Sequence, residues 1–199
     1  MNNHIANISD KIIDELCNQV IDYFDKSPFF ELSNIPPFQG AGIYALYIKP
    51  SSKTLYKDVL PAMYPIYIGK AVPAGSRQGV KSGVTKGSPL RARLTKHLSS
   101  IEQANNLDAS DFLCRFIVLE GKSSDFISAF ESIFIKKYNT LWNSHIDGFG
   151  INAPGSGRYN QSPSEWDTLH PGRYYASQLT GSPRDLRQIM QKIVNYKPK

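Results

Sequence analysis

Apolar positions recur along this chain with two different periods, and the changes of period mark its elements. Ile8, Ile12, Ile13, Leu16, Val20 and Phe24 fall at helical spacing, with acids and Lys11 on the other side. That spacing predicts an amphipathic helix from about 8 to 24, capped by Ser9 or Asp10 and buried along this stripe. Pro28, Pro36 and Pro37 then break the pattern and predict a loop. Gly42 to Ile48 is short, aromatic and β-branched and stops at Pro50, which predicts a strand; Pro65 to Gly69 predicts a second. The simplest arrangement pairs the two antiparallel across the polar excursion from Lys49 to Tyr64.

Ala71 to Pro89 is rich in Gly, Ser, Pro and Lys and reads as a long loop, of the kind that is usually functional in a packed domain. Ser88 and Pro89 open the next helix, with Ser as N-cap and Pro in the first turn. Its buried stripe is Leu90, Leu94, Leu98 and Ile101, and Arg93, Lys96, His97 and Ser100 lie on a neighbouring face. Phe112 to Leu119 predicts a buried strand. Ser123 to Tyr138 predicts a helix with Phe126, Ile127, Phe130, Ile133 and Phe134 inside. After Trp142 the chain is Gly- and Pro-rich as far as Pro163. A closing helix is signalled by the start Ser182-Pro183-Arg184-Asp185 and the stripe Leu186, Ile189, Met190 and Ile193.

The order of helix, strand, strand, helix, strand, helix and closing helix gives an α/β chain of the α+β kind. A length of 199 residues suits one well-packed domain. With 41% hydrophobic and 20% charged residues, the composition excludes a disordered or fibrous chain. No apolar run approaches the roughly 18 residues of a bilayer span, and Met1 to Asn7 lacks the pattern of a signal peptide, so the expected location is cytoplasmic. Cys17 and Cys114 are far apart and in no metal-binding spacing, which speaks against a disulfide framework.

Charge changes this picture. The formal net charge is +6, with a pI near 9.2. The excess is concentrated: from Lys70 to His97 the chain carries Lys70, Arg77, Lys81, Lys86, Arg91, Arg93 and Lys96 and no acid. Such a surface displaces counterions from phosphates and points to nucleic acid.

Candidate chemistry follows the same order. Gly42-Ile43-Tyr44 lies in the first strand and Tyr67-Ile68-Gly69 in the second. Arg93 and His97 stand one helical turn apart and project from one face. Glu131 sits among Ile127 and Ile135 in the next long helix, where an unpaired carboxylate is costly. Asn143 lies just beyond. This ordered set resembles the GIY-YIG nuclease superfamily over about 42–143, which is the expected catalytic core. The long connection 49–64 departs from the family pattern and reads, with 71–89, as an inserted loop facing DNA. The resemblance implies a small three-stranded antiparallel sheet flanked by helices, here with an N-terminal helix and a C-terminal extension over 148–199. No separate DNA-binding arm is recognisable. The chain is most similar to the family's compact type II restriction endonucleases, in particular the subgroup cutting the palindrome CCGCGG, with which it shares Asp167-Thr168-Leu169-His170-Pro171-Gly172-Arg173.

For this reading Tyr44, Tyr67, Lys70, Arg93, His97, Glu131 and Asn143 form the catalytic site. Glu131 is the hard oxygen ligand for a single Mg²⁺, with Mn²⁺ as a substitute. Arg93 clamps the phosphate. Tyr44 contacts the attacking water, with His97, titrating near neutrality, as its proton acceptor and Lys70 favouring the phenolate; which of Tyr44 and His97 is the immediate base stays open. Tyr67 orients the water or a phosphate oxygen, and Asn143 fixes either the Glu131 region or a phosphate. Arg77, Lys81, Lys86, Arg91, Lys96, Arg158 and Arg173 are candidates for contact with double-stranded DNA, with Arg184 as a further one. A palindromic target implies a homodimer. The competing readings are a repair or structure-selective nuclease, a homing nuclease, and a non-catalytic DNA-binding protein on the same scaffold.

Overall fold

Strand β2 (Gly42–Ile48) is flanked on both sides in the sheet and covered on both faces, which is why nearly every residue in it is apolar and buried. The computed structural model describes residues 10–73, 87–155 and 157–199. Four antiparallel strands form its sheet in the order β1-β4-β2-β3, with β1 at Phe30–Glu31, β3 at Pro65–Ala71 and β4 at Phe112–Val118. The expected three strands are β2, β3 and β4. The fourth, β1, adds only the pairs Phe30–Cys114 and Glu31–Leu113, too short to leave a period in the sequence.

The two sheet faces carry separate cores. Tyr44, Leu46, Tyr67, Phe112 and Cys114 face α2 (Pro89–Glu102), α4 (Leu141–Ser144), α5 (Glu165–Leu169) and α6 (Leu186–Val194). Ile43, Ala45, Tyr47, Ile68 and Ile117 face α1 (Asp10–Lys26) and α3 (Ile127–Tyr138). Alternation along β2 therefore sorts the chain into two layers of helices. The C-terminal extension is not an irregular tail: Trp166, Leu169, Ile189, Ile193 and Tyr196 belong to the first core.

Helix faces differ from the expected stripes in three places. On α1 the buried residues are Cys17, Ile21 and Phe24, while Ile12 is 61% exposed and Ile13 and Leu16 are also outside. On α6 Ile189 and Ile193 point inward and Leu186 and Met190 outward. The segment before α3 is a 3-10 turn, Gly121–Phe126, and this rotates Phe126 into solvent. Helix α3 stops where Asn139 takes the left-handed conformation, φ 44°, and donates its N–H to the Ile135 carbonyl. Ser88 caps α2 through its carbonyl to Ala92 N–H; its hydroxyl makes no capping bond.

The excursion 49–64 is pinned inside the protein by Tyr56. Trp142 Nε1 donates to the Tyr56 hydroxyl at 3.0 Å, and that hydroxyl lies 2.5 Å from His170 Nε2. Asn106 Oδ1 stands 2.8 Å from His170 Nδ1. A carbonyl oxygen only accepts, so Nδ1 carries the proton, Nε2 accepts, and every group in the chain is satisfied with a neutral imidazole. Burial first, and then Arg173, push the His170 pKa down to about 3.

This has a measurable consequence. The unfolded chain binds a proton at His170 near pH 6.5, whereas the folded chain refuses it until about 3. Stability contributed by neutral His170 is therefore complete above pH ~6.5 and is lost as pH falls towards the folded value. Linkage gives a loss of roughly 2 kcal/mol between pH 7 and pH 5, and buried His97 acts in the same direction. Urea unfolding at pH 7, 6 and 5 measures this; equal stability at pH 7 and pH 5 would contradict a neutral imidazole.

Candidate active site

The β2–β3 register sets the two tyrosines side by side. Tyr44 pairs with Gly69 and Leu46 with Tyr67, so Tyr44 and Tyr67 are diagonal neighbours on one face, ring centroids 6.2 Å apart. Gly69 is required by this geometry: a Cβ there would come within 2.3 Å of the Tyr44 hydroxyl. Helix α2 crosses the same face. Its Arg93 and His97, four residues apart, both turn towards the tyrosines, and His97 is only 2% exposed.

His97 Nε2 and the Tyr44 hydroxyl are 2.5 Å apart. The imidazole is stacked on Phe149, centroids 4.7 Å and planes 17° apart, and meets Tyr67 edge-on. Burial, followed by the cations Arg93, Lys96 and Arg173, holds His97 well below its usual pKa. It does not titrate near neutrality, as its residue type suggests; it is neutral. Burial and the neighbouring Tyr67 raise the Tyr44 pKa well above 10, and burial raises that of Tyr67. Arg93 opposes both shifts from its place beside the two phenols. It donates to the Gly150 carbonyl at 2.6 Å.

Glu131 comes from α3 on the other side of the sheet and meets Lys70 at the edge strand, Nζ to Oε2 2.7 Å. It is near enough to contribute to raising the pKa of both phenols. Lys70 is thus the partner of Glu131. Asn143 is a clamp. Its Oδ1 accepts from Ile68 N–H at 2.7 Å and from Thr140 Oγ1, and its Nδ2 donates to Ile68 O at 2.9 Å. Both backbone polar groups of Ile68, on the edge strand β3 next to Tyr67, are satisfied in this way.

Among the described residues no three His, Cys, Asp or Glu side chains are grouped to hold a metal ion. Glu131 is a single, partly exposed carboxylate, and that donor set suits a hard cation that completes its shell with water and phosphate oxygens. It does not suit zinc.

The basic candidates divide. Arg91, Lys96 and Arg158 are exposed, and Lys96 donates to Asn152 Oδ1. Arg184 is half-exposed and 3.4 Å from Asp147. Arg77, Lys81 and Lys86 lie outside the described residues. Arg173 is a correction: it is 2% exposed, and its guanidinium is used within the protein. Nε pairs with Asp167 at 2.6 Å, Nη1 donates to Phe149 O and Nη2 to Gly148 O. The segment Asp167 to Arg173 is therefore an internal brace. Sequence reasoning also missed Phe149 and Gly150, whose only signal was a Gly-Phe-Gly triplet in a Gly-rich stretch.

No curated protein matches the chain. The family model described as the Eco29kI GIY-YIG domain matches residues 36–197, which takes in every strand of the site and the C-terminal extension. The chain belongs to this Eco29kI GIY-YIG domain family of restriction endonucleases, within the GIY-YIG nuclease superfamily.

Proposed function

We propose that the chain is a type II restriction endonuclease that hydrolyses duplex DNA at a palindromic GC-rich site, CCGCGG, with one Mg²⁺ per active site. The observation that carries this reading is the Tyr44–His97 hydrogen bond standing beside Arg93, Tyr67 and the Glu131–Lys70 pair. Hydrolysis needs a proton acceptor for water and charge stabilisation at the phosphoryl group, and this set offers both.

Because its pKa is raised, Tyr44 rests as a phenol. It takes a proton from the attacking water only as it passes its own to neutral His97 Nε2, the one partner 2.5 Å away. Tyr67 orients the water or a phosphoryl oxygen. Arg93 clamps the phosphate, since a guanidinium stays charged and offers forked donors. Glu131 is the residue that would hold Mg²⁺, which neutralises charge on the scissile phosphate when bound. Lys70 balances the Glu131 carboxylate, and Asn143 keeps β3 and Tyr67 in place. Arg91, Lys96 and Arg158, with Arg77, Lys81 and Lys86, contact phosphates and bases. Two copies of the chain would cut the two strands of a two-fold site.

Incubation with a plasmid bearing several CCGCGG sites, with Mg²⁺ or with EDTA, tests this. Discrete metal-dependent fragments at those sites are expected. A different fragment pattern would discard the target. Cleavage of branched DNA with plain duplex left intact would replace restriction by a structure-selective activity.

A further inference from the structure

The segment Gly148-Phe149-Gly150 touches three of the proposed catalytic side chains and is itself fixed by a buried charge pair. Phe149 is 1% exposed and lies flat against His97, and its ring also meets Tyr67 at 4.9 Å between centroids. The Gly150 carbonyl accepts from Arg93, and the Gly150 Cα faces Tyr67 so closely that a Cβ would stand 2.2 Å from the Tyr67 hydroxyl. Behind it, Trp142 and Trp166 pack on Phe149 at 4.5 and 5.2 Å.

The anchoring is equally specific. Gly148 has φ +101°, and a Cβ there would overlap Ser164 Oγ at 2.0 Å. Two successive carbonyls, Gly148 O and Phe149 O, accept from the two terminal nitrogens of Arg173. Asp167 holds the third nitrogen, and Asp167 in turn accepts from Ser164 Oγ at 2.7 Å. A planar fork of donors is what matches adjacent backbone carbonyls and a carboxylate at once; an ammonium has no such shape.

We propose that Gly148-Phe149-Gly150 is a strap that sets the positions of His97, Tyr67 and Arg93, and that Arg173 and Asp167 are positioning residues acting through it. This rests on the nuclease reading above. The strap supplies the flat wall that fixes the His97 ring plane and so the direction of Nε2. It also ties the Arg93 guanidinium by one nitrogen and leaves the others for a phosphate. Arg173, buried behind the strap, is one of the cations that disfavour protonation of His97; the others facing that ring are Arg93 and Lys96, while Tyr44 and Tyr67 are its uncharged neighbours.

Three variants test the strap: Gly150→Ala, Arg173→Lys and Arg173→Met. Gly150→Ala is the cleanest, because the nearest atoms to its new methyl belong to Tyr67 and Arg93, and the Arg173–Asp167 pair is left intact. Displacing catalytic groups by about 1 Å lowers turnover by as much as ~100-fold. The expected result for Gly150→Ala is a kcat lowered ~30- to 100-fold, with KM and metal-free DNA affinity close to the parent and a thermal midpoint lowered by a few degrees. For Arg173→Met, the His97 imidazole, followed by NMR in the metal-free protein, is expected to titrate at higher pH than in the parent. Arg173→Lys, which keeps the charge without the fork, is expected to leave that titration low while kcat still falls. Parent-like kcat in Gly150→Ala would overturn the strap as a positioning element. Parent-like kcat in folded Arg173→Lys would overturn the role of Arg173. The NMR readout needs no cleavage, so an inactive parent with the expected titrations would sink the nuclease reading and leave the strap standing.

Discussion

Glu131→Gln is expected to abolish DNA cleavage, with a loss on the order of 1,000-fold or more, while the protein stays folded and still binds DNA. Among the described residues Glu131 is the one carboxylate of the proposed site, and no group of three His, Cys, Asp or Glu side chains stands there to take over its place. On the proposed mechanism, removing its charge deletes the anionic oxygen donor that would hold the cation. A thousand-fold loss corresponds to about 4 kcal/mol of transition-state stabilisation, within what a cation at a phosphoryl oxygen supplies. The effect on stability is far smaller. The Lys70–Glu131 pair is 34% and 19% exposed at its two side chains, and pairs open to solvent contribute about 1 kcal/mol or less. Single-turnover cleavage, fluorescence anisotropy without metal and a thermal melt separate these effects. Cleavage within tenfold of the parent would remove Glu131 from the chemistry, and loss of binding together with cleavage would make it a structural residue.

Much of the fold was legible because the periods were unambiguous where elements are covered on both sides. Strand β2 runs over the residues expected, Gly42–Ile48, since a central strand is apolar throughout and bounded by breakers. Legibility fails where an element has two apolar faces. On α1 the expected stripe of Ile12, Ile13, Leu16, Val20 and Phe24 adjoins a second, Cys17, Ile21 and Phe24; both have helical spacing, and only packing in the folded protein decides which is buried. The same ambiguity put Leu186 and Met190 inside α6. Strand β1 was invisible because a two-residue strand has no period.

The site shows the same division. The residues that the family resemblance singled out on regular elements do come together: Arg93 and His97 through their separation on α2, Tyr44 and Tyr67 through the register of their strands. What was lost lies in the irregular segment after Trp142, where sequence carries no period. Arg173 read as a candidate contact to DNA in the C-terminal extension. Its burial depends on Asp167 six residues earlier and on two carbonyls some 25 residues away, a set of partners that only tertiary structure assembles. The neutrality of His97 was likewise hidden. An exposed histidine titrates near 6.5, but this one is enclosed by Phe149 and Tyr67 with cations beside it, and both effects disfavour the charged ring.

That neutrality gives the second large effect, which lies in how Tyr44 and His97 act together. On the proposed relay, Tyr44→Phe removes the hydroxyl that would receive the proton from water, and His97→Ala removes the acceptor of the next proton. General-base assistance of this kind is worth ~100- to 10,000-fold, so each variant is expected to fall into that range in kcat. The double variant is expected to be little worse than either single one, because a relay with one member missing gains nothing from the other. Independent roles predict instead that the two losses multiply. The pH profile adds a second criterion. kcat/KM reports the free enzyme, in which His97 takes up a proton only well below 6.5, so the acid limb of kcat/KM is expected well below pH 6.5 rather than centred on it. The sign follows from the role: a proton acceptor works when empty, and a lowered pKa keeps it empty across the neutral range. The raised pKa of Tyr44 completes the argument, since a phenol that does not ionise by itself shows no alkaline gain of a resting phenolate near neutrality. A kcat/KM that rises through pH 6.5 and disappears as a feature in His97→Ala would mean that the imidazole is charged in the resting site, and the relay would have to run the other way.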